Sequence, residues 1–272
     1  MPIENPKDSS NGALECTLLE ARRQGNVLHV TLQRPEKRNA LSRPLIAAIG
    51  ETFGKWQDDL EISLAVLSGT GDKAFASGGD LLELDSIRTE AGALEFAAAT
   101  RAALDCIRYF PVPVVAVLNG DALGGGAELA LACDLRIARS HARIGFLQGQ
   151  LNIATAWGGG TDLFNLVPSG KAFQILCTAE VFGAEQAREL GLVDLVAVGG
   201  DEAEFIRSFI AQLSARKPQV MRAFKSLGVT RRSGADLAEQ ARQEVSKFAE
   251  TWTHPDHWDA VAGFMNRQKT PR

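Results

Sequence analysis

The chain has 272 residues, 45% of them hydrophobic and 23% charged, with a formal net charge of -4 at pH 7. That is ordinary globular material with apolar side chains enough for a large core, and the acidic balance argues against nucleic acid as the main partner. No run of about 18 apolar residues occurs, so no membrane-spanning helix is expected. The opening stretch MPIENPKDSSNGALE is neither a basic-then-apolar nor an Arg-rich amphipathic leader, so a cytoplasmic protein is the expectation.

Residues 1–13 are polar and rich in Pro, Asn and Ser, and read as a loose lead-in. Residues 27–33, VLHVTLQ, alternate β-branched and polar side chains and predict a strand, ended by Arg34-Pro35. Ser42 can cap a helix with Pro44 in its first turn, after which Leu45, Ile49, Phe53 and Trp56 recur at helical spacing. Residues 64–68 predict a buried strand closed by Gly69-Thr70-Gly71, and residues 94–109 a helix broken by Pro111 and Pro113. A strand at 114–118, a turn at Asn119-Gly120, a helix at 127–132 and a strand at 135–138 follow.

This alternation favours parallel strands joined by helical crossovers. From about Gly170 the chain is mostly helical, with terminal helices near 237–251 and 256–268. The division expected is an α/β core over 14–200 and a helical C-terminal region over 201–272. The cysteines Cys16, Cys106, Cys133 and Cys177 are scattered without a C-x-x-C pair, and are expected to be small buried hydrophobes rather than metal ligands.

Two glycine segments carry the chemistry. Ala74-Phe75-Ala76-Ser77-Gly78-Gly79-Asp80 follows a strand, and Gly124-Gly125-Gly126 opens a helix. Both can present bare backbone N–H groups to a ligand oxygen, because glycine lets that oxygen come close. The second does so at a helix N-terminus, where free N–H groups and the helix dipole favour negative charge. Two such donors on one carbonyl oxygen make an oxyanion hole. Neither segment fits a P-loop or a dinucleotide fingerprint.

In this order the two segments resemble the signature of the enoyl-CoA hydratase/isomerase (crotonase) superfamily. Arg34-Pro35-Glu36-Lys37-Arg38-Asn39-Ala40-Leu41-Ser42 is similar to its first CoA-binding segment. Cys133-Asp134-Leu135-Arg136-Ile137-Ala138 continues the second glycine motif, AEQARELGLVD over 184–194 resembles a later helix-turn, and Gly263-Phe264 with Arg267 resembles its tail. The resemblance implies an α/β crotonase-like spiral of ββα units with a helical C-terminal region. It also implies a trimer or dimer of trimers, and an acyl-CoA substrate with no cofactor beyond the CoA of that substrate. Residue by residue, it implies that Gly79 and Gly125 donate to the thioester oxygen and that Glu128 is a catalytic carboxylate. Lys37 and Arg38 would lie near the CoA phosphates, Lys73, Ala74 and Phe75 along the adenine, mainly through backbone, and Ala40 among the CoA contacts. Ser77, Asp80 and Leu81 would line the adjoining wall, with a helix-capping role for Asp80. Trp157 would shape the acyl pocket, and Phe264 and Arg267 would close a CoA pocket, in a neighbouring subunit if not in their own. The histidines His29, His141, His254 and His257 fall outside these motifs.

One departure bears on the reaction. Gln148, or Gly149 if a gap intervenes, stands where hydratases carry a second glutamate, and no Asp or Glu occurs between Asp134 and Asp162. An amide can hydrogen-bond but cannot take a proton, so ordinary hydration and double-bond isomerisation lose a partner. Decarboxylation of a malonyl-type thioester makes its enolate without a base and avoids a like-charge clash with a second acid. Trp157-Gly158-Gly159-Gly160-Thr161 also bears a local similarity to ethylmalonyl-CoA decarboxylases. The sequence therefore ranks an acyl-CoA lyase that decarboxylates slightly above a hydratase or isomerase with an atypical site. A catalytically silent acyl-CoA-binding protein is the rival from another class, and a Clp-type serine protease is disfavoured because no histidine lies in the motifs.

Overall fold

The computed structural model describes residues 14–16 and 18–269, so the expected loose lead-in lies outside the described residues. The chain opens with β1 (Leu14–Cys16), β2 (Leu19–Gln24) and β3 (Val27–Leu32), then α1 (Arg43–Trp56), β4 (Leu64–Gly69), β5 (Ala74–Ala76), α2 (Leu81–Leu84) and α3 (Glu90–Arg108). Next come β6 (Val114–Leu118), β7 (Asp121–Leu123), α4 (Gly125–Ala132), β8 (Leu135–Ala138) and β9 (Arg143–Gly145). The rest is α5 (Gly159–Leu166), α6 (Ser169–Thr178), β10 (Val181–Gly183), α7 (Ala184–Leu190), β11 (Leu195–Val196), α8 (Glu202–Ser214), α9 (Pro218–Arg232), α10 (Leu237–Trp252) and α11 (Pro255–Lys269). No helix among the described residues is long and apolar enough to cross a membrane.

Two sheets result. The larger runs β1-β2-β3-β4-β6-β8-β11 and the smaller β10-β9-β7-β5. The pairs β4/β5, β6/β7 and β8/β9 each place one strand in the larger sheet and the next in the smaller, so the chain advances as a spiral of ββα turns. From β3 onward the larger sheet is parallel, as the strand–helix alternation predicts. The antiparallel β1-β2-β3 edge is not signalled by that alternation. Parallel strands are covered on both faces, and β6, VVAVL, is buried throughout.

The helix α4, GGAELALA, is also buried throughout. A helix apolar all round belongs inside a core, and this one carries a glutamate there. A Cβ on Gly126 would overlap the Ala76 carbonyl, so only glycine lets α4 start against β5. Two buried asparagines hold the loops beside that contact. The Asn39 amide donates to Ala74 O at 2.8 Å, and its side-chain oxygen accepts from Arg34 N at 3.0 Å. The Asn119 amide donates to Gly71 O at 2.8 Å, and its oxygen accepts from Gly69 N at 2.8 Å. These bonds satisfy loop backbone that would otherwise be buried unpaired. Of the cysteines, Cys133 is buried and Cys106 half-buried, but Cys177 is exposed on α6, against expectation. The helical period of α6 turns Cys177 outward while Ala172 and Ile175 face the core. The Cys16 side chain lies outside the described part.

Candidate active site

The two glycine segments meet. Gly78 (φ 107°) and Gly124 (φ 53°) are both left-handed, a region glycine enters without a steric penalty. A Cβ on Gly78 would stand 3.1 Å from Leu123 O and 3.6 Å from Gly125 N, which measures how closely the loops pass. Leu41 N donates to Gly78 O and Asp80 N to Leu41 O, so the peptide between them is held in place. Among the described residues, no acceptor takes the Gly79 or Gly125 N–H. The Gly125 N–H opens α4, where the helix dipole adds positive character.

Glu128 lies one turn into α4 and is 2% exposed. Its Oε2 accepts from Trp157 N and from Gly159 N, both at 2.9 Å, and its Oε1 accepts from Gln148 Nε2 at 2.9 Å. Burial pushes its carboxyl above the ordinary glutamate range, and these hydrogen bonds to the charged form pull part of the way back. Gln148 is thus bonded directly to Glu128. A carboxylate accepts only, so it fixes which way the amide points. Among the described residues, nothing partners the buried Gln148 oxygen.

The Trp157 ring covers the oxyanion loops. A Cβ on Gly125 would overlap it, and one on Gly79 would lie 3.6 Å from its Cη2. Its backbone is tied from both sides: the N–H to Glu128, and the carbonyl to Arg108 Nη2 at 2.8 Å. Arg108 is buried and paired with the buried Asp162 at 2.8 Å. Gly79, Gly125, Glu128, Gln148 and Trp157 together line a cavity of about 480 Å³, otherwise walled mainly by apolar side chains such as Leu84, Phe96, Leu147 and Ile153. The enoyl-CoA hydratase/isomerase family model matches residues 22–271.

The chain belongs to the enoyl-CoA hydratase/isomerase family.

It is 30% identical to the short-chain-enoyl-CoA hydratase of Clostridium acetobutylicum, over 94% of this chain and 97% of that one. It is 33% identical to the carnitinyl-CoA dehydratase of Salmonella typhi, over 77% and 79%. Among solved structures, an enoyl-CoA hydratase/carnitine racemase from Magnetospirillum magneticum superposes with a TM-score of 0.88 at 25% identity, covering 96% of this chain and 97% of that one. An enoyl-CoA hydratase from a Polaromonas species superposes at 0.82 with 31% identity, covering 93% and 98%. The chain therefore has the crotonase fold and is an enzyme of this family. These proteins are named for hydration, dehydration or racemisation, and the local likeness to decarboxylases gains nothing from them.

The remaining residues expected from the family pattern divide into four groups. Lys37 and Arg38 are exposed, without an ion-pair partner among the described residues, and Arg38 O accepts from Ser77 N at 3.1 Å. That bond puts the basic loop beside Ser77, which lines the cavity, and Leu81 stands exposed at the cavity edge. Lys73 is exposed just before β5, but the Phe75 side chain is sealed in the core and Ala74 O already accepts from Asn39 and Asn119. All three residues of β5 are buried, so Phe75 contributes packing. Asp80 sits at the N-cap of α2 but makes no capping bond. Its carboxylate pairs instead with Arg34 Nη2 at 3.0 Å, and the same guanidinium donates to Ala40 O, so both are engaged within the loop. Phe264 and Arg267 are exposed on α11, and neither lines this chain's cavity.

Sequence reasoning missed three parts of the site: the Trp157 and Gly159 N–H groups on Glu128, the Arg108–Asp162 pair behind them, and Phe96. The glycine run 158–160 was a signal for the first. A Cβ on Gly159 would overlap Glu128, so that run serves the carboxylate and is not a mere turn. Phe96 gave no signal, because α3 reads as an ordinary amphipathic helix.

Proposed function

We propose that the chain adds water reversibly across the double bond of an enoyl-CoA, using Glu128 as the single proton-carrying carboxylate. The carrying observation is that Glu128 is held by three hydrogen bonds at one wall of an apolar cavity, with no second acid in that wall. Its Oε2 takes both backbone donors, which leaves Oε1 with the free capacity to move a proton. A water oxygen attacks Cβ, and the π pair moves through Cα onto the thioester oxygen. The N–H groups of Gly79 and Gly125 stabilise the charge that develops there. The proton released by the water goes to Glu128 Oε1. Glu128 then returns it to Cα, the thioester carbonyl reforms, and the carboxylate is regenerated. One carboxylate closes this cycle because the proton taken is the proton given back. Gln148 keeps Glu128 oriented.

Burial makes Glu128 a stronger base than an exposed glutamate, which suits this task. The reaction needs no cofactor beyond the CoA of its substrate. Lys37, Arg38 and Lys73 supply local positive charge for the CoA phosphates on a protein whose net charge is negative. Phe248, Trp258, Phe264 and Met265, exposed on α10 and α11, suit a homotrimer or a dimer of trimers, in which Phe264 and Arg267 reach a neighbouring site.

Decarboxylation of a malonyl-type thioester is the second reading. Its support is Gln148, which removes one of the two negative charges a substrate carboxylate would meet. Against it, no cationic side chain lines the cavity to receive that carboxylate. The purified protein is given crotonyl-, malonyl-, methylmalonyl- and ethylmalonyl-CoA, and products are weighed by mass spectrometry. Gain of one water on the enoyl thioester is the expected result. Loss of carbon dioxide from a malonyl thioester, with crotonyl-CoA untouched, would replace hydration by decarboxylation. Tight binding with no turnover of any of them would make the chain a silent binder.

A further inference from the structure

A second cavity of about 480 Å³ lies beside the one that holds Glu128, between α1 and α3. The two cavities have two wall residues in common, Ile87 and Phe96. Phe96 stands edge-on to Trp157, with ring centroids 5.8 Å apart and planes at 85°. This geometry is attractive for aromatic pairs. Trp157 in turn covers Gly125 and Gly79. The partition is therefore Ile87 together with Phe96, whose ring is backed by Trp157 against the oxyanion loops.

The far side of Phe96 is lined by Ile46, Gly92 and the exposed Ala47 and Ala99, with the hydroxyl side chains of Ser86, Thr89 and Thr100 among them. Its rim is charged but paired: Arg43 meets Glu83 at 3.3 Å, and Arg88 meets Asp85. Glu95 adds a carboxylate to the same rim. A negatively charged chain end would find no unpaired arginine there. A plain alkyl chain would cover Ile46, Ala47 and Ala99, which gain by losing water.

We propose that Phe96 sets the acyl-chain length this site accepts, stopping the chain at the first cavity, and that the second cavity is the room its distal methylenes would occupy if that ring were cut back. The inference rests on reading the site as one for acyl-CoA, not on which reaction follows. It assigns the native substrate to short, unbranched, uncharged acyl groups that end before the Phe96 ring.

Two variants test it. Phe96→Ala joins the cavities, and Ala47→Phe fills the second one from α1 without touching the first. The kcat/KM ratio of trans-2-dodecenoyl-CoA to crotonyl-CoA should rise at least about tenfold in Phe96→Ala, since a single methylene in an apolar pocket is worth about 10- to 200-fold. Adding Ala47→Phe should bring the ratio back near the wild-type value, which a general loosening of the fold would not do. Calorimetric affinities for the saturated dodecanoyl- and butanoyl-CoA give the same ratio without turnover. If the wild type hydrates nothing, the functional reading fails while the binding ratio still decides the wall. Should Phe96→Ala not fold, Phe96→Leu makes a smaller opening and is expected to shift the ratio in the same direction. A folded variant whose chain-length profile matches wild type by both readouts overturns the proposal, as does a gain that Ala47→Phe fails to cancel.

Discussion

Replacing Glu128 by glutamine separates the proton-carrying role of this side chain from its structural one. In the wild type, Oε2 accepts from Trp157 N and Gly159 N at 2.9 Å each, and Oε1 from Gln148 Nε2 at 2.9 Å. A glutamine at 128 keeps its oxygen on the two backbone donors and turns its NH2 toward Gln148. Gln148 then flips, and its oxygen, partnerless in the wild type, accepts that NH2. The number of hydrogen bonds is unchanged, so the melting temperature should stay close to wild type. Glu128→Ala instead strands two buried N–H groups at about 1–3 kcal/mol each, a loss of about 2–6 kcal/mol. Catalysis should respond in another way. Positioned acid–base groups contribute about 10²- to 10⁴-fold, or about 2.7–5.4 kcal/mol at 1.36 kcal/mol per decade. Glu128→Gln should lose that much in kcat with affinity for the CoA thioester little changed. The assay is loss of the enoyl-thioester absorbance, with calorimetric binding alongside. A well-folded Glu128→Gln enzyme with wild-type turnover would refute the reasoning, because another group would then carry the proton.

Four further outcomes follow from the same geometry. Burial raises the Glu128 carboxyl and the Gln148 bond lowers it, so the acid limb of kcat/KM should lie above the ordinary glutamate range. In Gln148→Leu, which removes the donor without admitting water, that limb should move to still higher pH; a move to lower pH would contradict the assignment. Arg108→Leu leaves Asp162 buried without its charge partner and should cost about 3–5 kcal/mol in denaturant unfolding, whereas an exposed pair would cost little. Gly125→Ala keeps the N–H but pushes a Cβ into the Trp157 ring, and overpacking of that kind costs about 1–3 kcal/mol; pairing it with Trp157→Leu should recover part of the loss, as thermal melts would show. Replacing both Lys37 and Arg38 by alanine should weaken thioester binding, and more so at low salt, where unscreened charge counts most; equal calorimetric affinities would remove these two from the CoA site.

The sequence by itself determined whatever depends on near neighbours along the chain. The period of residues 27–33, the Ser42–Pro44 helix start and the apolar run of 114–118 predict elements that form at those places, because side-chain periodicity and capping are local properties. The left-handed glycines and the helix start at Gly125 are local too, and so the oxyanion loops were legible. The smaller sheet was not: β5, β7, β9 and β10 have three residues each, too short to display a period of two. Nor was the order of the site. Gln148 and Trp157 reach Glu128 from 20 and 29 residues away, and the sequence placed a glutamine near the hydratase position without saying that it would bond to the glutamate. Phe96 reads as one apolar position on a helix, and only the packing of α3 against the 157–159 loop makes it a wall between two cavities. Such contacts join segments whose separation carries no pattern, so tertiary packing alone decided that the buried carboxylate would bond to this amide.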